Sequence, residues 1–99
     1  MAASAILLYR QHFVYADGSI REMVLWRLPK PTPERKHGLK YRLYYRTADG
    51  RGVVRYDNEK GKGDHRHLGA VEHPYRFTDV ETLVRDFLND IERLRSEKR

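Results

Sequence analysis

Hydrophobic and polar positions alternate through the first part of the chain and recur with helical spacing near its end. Residues 5–15 (AILLYRQHFVY) suit a strand through Leu8, Tyr9, Phe13 and Val14, and Arg10, Gln11 and His12 make it a half-exposed one. Asp17-Gly18 is a hairpin turn signal. Residues 19–28 (SIREMVLWRL) return as a second strand, in which Ile20, Val24, Trp26 and Leu28 share one face, interrupted by Glu22. Pro29, Pro31 and Pro33 then forbid a helix and remove ladder donors, so 29–38 is an exposed basic loop.

From Leu39 to Thr47 the alternation is clean. Tyr41, Leu43 and Tyr45 fall on one face, and Lys40, Arg42, Tyr44 and Arg46 on the other. Asp49-Gly50 marks a second hairpin, and Gly52 to Asp57 is the fourth strand. The glycine-containing stretch from Asn58 to Asp64 is a loop, His65 to Leu68 a short fifth strand, and Pro74 separates it from the last element. There Thr78 and Glu81 form a capping box, with Thr78 bonding the backbone N–H of Glu81. Val80, Leu83, Val84, Phe87, Leu88, Ile91 and Leu94 follow as a helical stripe that packs on a sheet. The expectation is an α+β fold: an antiparallel sheet of four to five strands, built from two hairpins and covered by a C-terminal helix. The 99 residues make a single domain spanning 1–99.

Composition adds a direction. Twenty Lys and Arg against 14 Asp and Glu give a net charge of +6, which favours a polyanion or an acidic protein over a neutral metabolite. The same charge also serves plain solubility. The absence of cysteine excludes disulfides, thiolate zinc sites and cysteine nucleophiles. Met1-Ala2-Ala3-Ser4 lacks a charged signal start, and the apolar run Ala5 to Leu8 is too short for a signal core or a membrane span. A cytoplasmic protein with no membrane association is expected.

One segment, Tyr56 to His67 (YDNEKGKGDHRH), concentrates the chemistry. His65 and His67 titrate near neutral pH and can act as general acid and base, in an order the sequence leaves open. Lys60, Lys62 and Arg66 can hold phosphate and stabilise a phosphorane, while Asp57 and Asp64 can orient a histidine or fix the loop. RNA brings its own nucleophile, the 2′-hydroxyl, so such a set suffices for strand cleavage with no metal and no cofactor. On a strand, however, His65 and His67 share a face, and with Asp57 or Asp64 they also fit a two-histidine, one-carboxylate metal site. A solvated charged turn is the plain alternative. The string is not a Walker loop, because G-x-x-x-x-G-K-S/T is absent. His12, His37 and His73 read as surface or structural residues. Tyr44 among Lys40, Arg42 and Arg46 offers a base-stacking, phosphate-binding face, while Tyr41 and Tyr45 turn to the core.

Glu22 to Pro29, Leu39 to Tyr45, the string Tyr56 to His67, and Pro74 to Phe77 together resemble the TumE-type toxin family, over roughly Leu8 to Leu94. The resemblance implies the toxin of a type II toxin–antitoxin pair, encoded beside a cognate antitoxin with a helix-turn-helix domain. By analogy with other small basic toxins, such as the RelE group, it points to RNA as the target. The expectation is therefore a metal-independent endoribonuclease that uses His65 and His67 as its acid–base pair, with Lys62 and Arg66 also catalytic. Lys60, Lys62, Lys40, Arg42, Tyr44 and Arg46 would bind RNA. The rival readings are a non-catalytic module that binds nucleic acid or protein, and a toxin with another target.

Overall fold

The computed structural model describes residues 4–59 and 63–97. Among the described residues the chain forms β1 (Ile6–Val14), β2 (Ile20–Arg27), β3 (Leu39–Arg46), β4 (Val53–Asp57), β5 (His65–Leu68), β6 (Val71–Pro74) and α1 (Val80–Glu97). The strands pair in chain order as one antiparallel sheet. The fold is α+β with a C-terminal helix on the sheet, as expected, but the sheet has six strands rather than four or five. The additional strand, β6, pairs with β5 from Leu68↔Val71 to His65↔Pro74. Pro74 is tolerated there because it ends an edge strand, where its missing N–H interrupts no inner ladder.

Both Asp-Gly turns form. At the first, the Gly18 N–H donates to the Tyr15 carbonyl at 3.0 Å, and the Tyr15 N–H donates to the Ser19 carbonyl at 2.9 Å. Gly18 sits at φ +88°, the left-handed position that closes this three-residue loop and that a Cβ opposes. The proline-rich segment 29–38 does not wander free. Its end folds onto the loop after β4, where the Arg35 Nε–H donates to the Asn58 carbonyl at 2.9 Å.

The core is built as the alternation of β3 requires. Tyr41, Leu43 and Tyr45 are buried, and cross-strand register sets Leu25 and Met23 on one side of them and Tyr56 and Val54 on the other. Leu83, Phe87 and Ile91 of α1 close this cluster, and Val80, Val84, Leu88 and Leu94 pack at its margin, so the whole predicted stripe faces the sheet. On β2 the core takes the opposite parity from the one the apolar series Ile20, Val24 and Trp26 implies: Met23 and Leu25 turn inward. Glu22, which interrupts that series, belongs to the other face. The helix cap also shifts by one residue. Asp79, not Thr78, accepts the backbone N–H of Thr82 at 2.7 Å through its Oδ1. This side chain satisfies an orphan donor of the first turn.

One helix cannot cover a six-stranded sheet. It packs against β4 and the middle of the sheet, and leaves Ile6, Leu7, Leu8, Tyr9, Phe13 and Val14 of β1 exposed. The opposite face of the sheet has no helix at all among the described residues. No helix there is long and apolar enough to cross a membrane.

Candidate functional site

Side chains on a strand alternate between faces, and antiparallel register carries that parity from strand to strand. With Tyr41, Leu43, Val54 and Tyr56 fixed on the helix side, Lys40, Arg42, Tyr44 and Arg46 of β3 must project from the helix-free face. So must Arg55 and Asp57 of β4, His65 and His67 of β5, and Glu72 of β6. Two cross-strand rows result. Arg42 faces Asp57, which faces His65; Tyr44 faces Arg55, which faces His67, which faces Glu72. Strands lie about 4.8 Å apart, so Tyr44 and His67 are separated by roughly 10 Å across this face. The stacking surface and the histidine pair, read from the sequence as separate features, are one continuous surface.

Hydrogen bonding distinguishes the two histidines, whose rings stand edge to face with centroids 5.2 Å apart. His65 is buried. Its Nδ1–H donates to the Gly63 carbonyl at 3.1 Å, and its Nε2 lies 2.9 Å from Asp57 Oδ1. Both ring nitrogens thus face oxygens that accept hydrogen bonds. His67 faces a donor instead. Its Nε2 lies 3.0 Å from an Arg55 guanidinium nitrogen, which can only donate, so Nε2 accepts and the ring proton resides on Nδ1. Desolvation, and then the Arg55 charge, hold the His67 pKa below the ordinary value of 6.5. Arg55 Nε also lies 2.9 Å from Asp57 Oδ2, as an ion pair whose N–H is not aimed at the carboxylate. Arg42 stacks over the Tyr44 ring, 4.6 Å from its centroid.

Tyr56, Asn58, Gly63 and Asp64 of the same string serve the fold. Tyr56 turns to the helix and donates to Asp90 in a short hydrogen bond. Asn58 is fully buried and extends the β4 edge: its Oδ1 accepts the Tyr41 N–H at 3.0 Å, and its Nδ2 donates to the Leu39 carbonyl at 2.9 Å. Gly63 takes φ +82°, which favours glycine where the chain re-enters the sheet. Asp64 is held by Tyr41 Oη at 2.6 Å and His37 Nε2 at 3.1 Å, so it ties the proline-rich loop to the site loop and orients neither His65 nor His67. Burial and this contact push the Tyr41 phenol pKa well up.

Arg66 is not brought to the expected site. Its parity sends it to the helix side, where it donates to Tyr56 Oη at 3.2 Å and lies 3.3 Å from the buried carboxylate of Asp90. Lys60 and Lys62 lie outside the described residues. Arg55 and Glu72 are the site residues that sequence reasoning missed. The signal for Arg55 was its shared parity with Asp57; that for Glu72 required the β5–β6 pairing. A cleft of about 410 Å³ lies on the helix side between Arg51, Leu68, Asp90 and Glu97, and neither histidine lines it. A smaller open cleft of about 300 Å³ lies beside His65, Glu72 and His73.

Neither the curated proteins nor the solved structures compared with the chain gave a match. A family model described as Toxin TumE matches residues 4–95, nearly the whole chain, including both cross-strand rows. The chain therefore belongs to the TumE toxin family.

Proposed function

We propose that this toxin is a metal-independent endoribonuclease that works on the helix-free face of its sheet. The observation that supports this most is the single surface that carries an aromatic-cationic strand, Lys40 to Arg46, and two histidines in opposite hydrogen-bonding states. Lys40, Arg42 and Arg46 hold the backbone of a single strand, and a base stacks on Tyr44. Lys60 and Lys62, outside the described residues, are proposed as further phosphate ligands on the strength of their charge alone.

The scissile phosphate is a better partner for the Arg55 guanidinium than a neutral imidazole is. As Arg55 turns to it, the Nε2 lone pair of His67 is uncovered and takes the proton of the 2′-hydroxyl. The 2′-oxygen bonds to phosphorus, the bond to the 5′-oxygen breaks, and His65 gives that oxygen a proton. The products are a 2′,3′-cyclic phosphate and a 5′-hydroxyl. Asp57 holds the His65 ring in place and keeps Arg55 beside the site. Arg55 thus takes the transition-state role that the sequence assigned to Arg66.

The partner of this surface in the resting cell is a cognate antitoxin, whose acidic segment covers the same cations. The helix-turn-helix domain expected of it belongs to the antitoxin and not to this chain. Expression of His67→Ala and of Arg55→Gln tests the enzymatic reading. Both variants should fold and fail to arrest growth. Full growth arrest by both would favour a binding module or another target.

A further inference from the structure

The β5–β6 hairpin places three metal-ligating groups on one face. His65 and His67 share parity, and register sets Glu72 opposite His67. Glu72 Oε1 lies 3.6 Å from His65 Nε2 and 3.7 Å from His67 Nε2. One ligand atom from each of the three residues lies within 4.8 Å of the other two. Around a tetrahedral zinc ion with bonds of about 2.0–2.1 Å, neighbouring ligand atoms sit about 3.4 Å apart. Two edges of this triangle are therefore within a few tenths of an ångström of a chelate. The third closes by a small rotation of His67, the more exposed imidazole.

A second feature points the same way. Ligating imidazoles commonly donate their other ring N–H to a carbonyl, which fixes the tautomer and aims the free nitrogen at the metal. His65 already does so: its Nδ1–H donates to the Gly63 carbonyl at 3.1 Å, and its Nε2 lies 2.9 Å from Asp57 Oδ1 and 3.6 Å from Glu72 Oε1. Two imidazoles and one carboxylate, with an open fourth position, suit zinc, nickel, copper or cobalt rather than magnesium or calcium. Asp64, one carboxylate the sequence suggested, is committed to Tyr41 and His37, while Asp57, the other, pairs with Arg55 and must give up His65 Nε2 and its proton when the ion takes that nitrogen.

We infer that His65, His67 and Glu72 form a binding site for a zinc-class divalent cation, and that its occupancy shuts off the nuclease. The binding stands on this geometry alone; the inhibition rests on the function proposed above. Occupancy takes Nε2 of both histidines at once, the nitrogens that would move protons. It also requires Arg55 to leave His67, because the guanidinium lies 3.0 Å from the nitrogen that the metal takes. Arg55 opposes the ion by its charge, so it sets the affinity and keeps the site vacant at low metal concentration. About a third of its side chain is exposed, so it can swing into solvent.

Titration of the full chain with zinc chloride by calorimetry, and with cobalt followed by its visible absorption, tests the site. One ion should bind per chain. Glu72→Gln and His67→Ala should each weaken binding by about tenfold or more, and Arg55→Gln should tighten it severalfold. Circular dichroism of each variant shows whether it has folded. Zinc should inhibit RNA cleavage with the midpoint of the binding isotherm, and EDTA should restore it. Binding that the variants leave unchanged overturns the site. Binding that stimulates cleavage overturns the inhibitory role and makes the ion a cofactor. A metal-free protein inert on RNA with an intact isotherm would sink the proposed function and the inhibition, and leave the site standing.

Discussion

Replacing Arg66 with alanine separates the two faces of the sheet most cleanly. Its guanidinium lies 3.3 Å from Asp90 Oδ2 and donates to Tyr56 Oη at 3.2 Å, under α1. The Asp90 side chain is only 4% exposed, so its carboxylate depends on donors supplied by the protein. Breaking a fully buried pair costs about 3–5 kcal/mol. Three facts reduce that figure here. The Arg66 side chain is 34% exposed, the contact is long, and Tyr56 and Arg93 still reach Asp90 after the change. A loss of about 1–2 kcal/mol is expected, between the contribution of an ordinary hydrogen bond and that of one to a charged group. Each kcal/mol moves the midpoint of a domain this size by about 4–8 °C, so thermal denaturation should show a drop of about 4–16 °C. Cleavage per folded molecule should stay near wild type, because nothing on the helix-free face has changed. Arg55→Ala, on the other side of the sheet, should instead lose about 100-fold or more in cleavage, the usual cost of removing a donor to a developing charge. An Arg66→Ala protein with an unchanged midpoint and abolished cleavage would refute the assignment of faces.

Other outcomes follow from the same geometry. His67→Ala should abolish growth arrest and leave stability within about 1 kcal/mol, because a partly exposed side chain on the open face is removed; equilibrium urea unfolding checks this. Arg42→Glu with Arg46→Glu should weaken RNA binding, flatten its salt dependence and slow association with an acidic antitoxin, as stopped-flow mixing would show. Asp79→Ala should lower the thermal midpoint at pH 7 by removing the cap of α1. The backbone N–H of Thr82 holds the Asp79 pKa below its ordinary 3.8, so the carboxylate stabilises the fold above that value and the contribution is lost as pH falls through the lower one. Wild type and variant midpoints should therefore converge in acid; a constant difference at pH 2 would contradict the capping role.

The elements were legible wherever one face is buried and the other wet. The alternation of β3 and the stripe of α1 led directly to Tyr41, Leu43, Tyr45, Leu83, Phe87 and Ile91. On β2 the pattern misled because both faces carry large apolar side chains. Met23 and Leu25 pack under the helix, while Val24 and Trp26 cover the other side, half-buried by neighbouring strands. The strand β6 was hidden by its length of four residues and by Pro74. The cap fell one residue late because Thr78 and Asp79 both offer an oxygen, and where the chain leaves the sheet decides which is used.

The candidate site was legible in part for the same reason. The i, i+2 spacing of His65 and His67 is sufficient to put them on one face, and the same rule should have placed Arg66 on the other. Glu72 depends on a cross-strand partner, which spacing along one strand cannot reveal. Arg55 was read as part of a strand and not weighed as chemistry, although it shares the parity of Asp57. The join between the histidines and the Lys40 to Arg46 strand required the register of three strands together.

The measurement that bears most directly on this account is the fate of an end-labelled single-stranded RNA incubated with the purified toxin in excess EDTA. Cleavage that leaves a 2′,3′-cyclic phosphate and a 5′-hydroxyl, and that is lost in His67→Ala, is the predicted result. Intact RNA, or equal cleavage by wild type and His67→Ala, would contradict it.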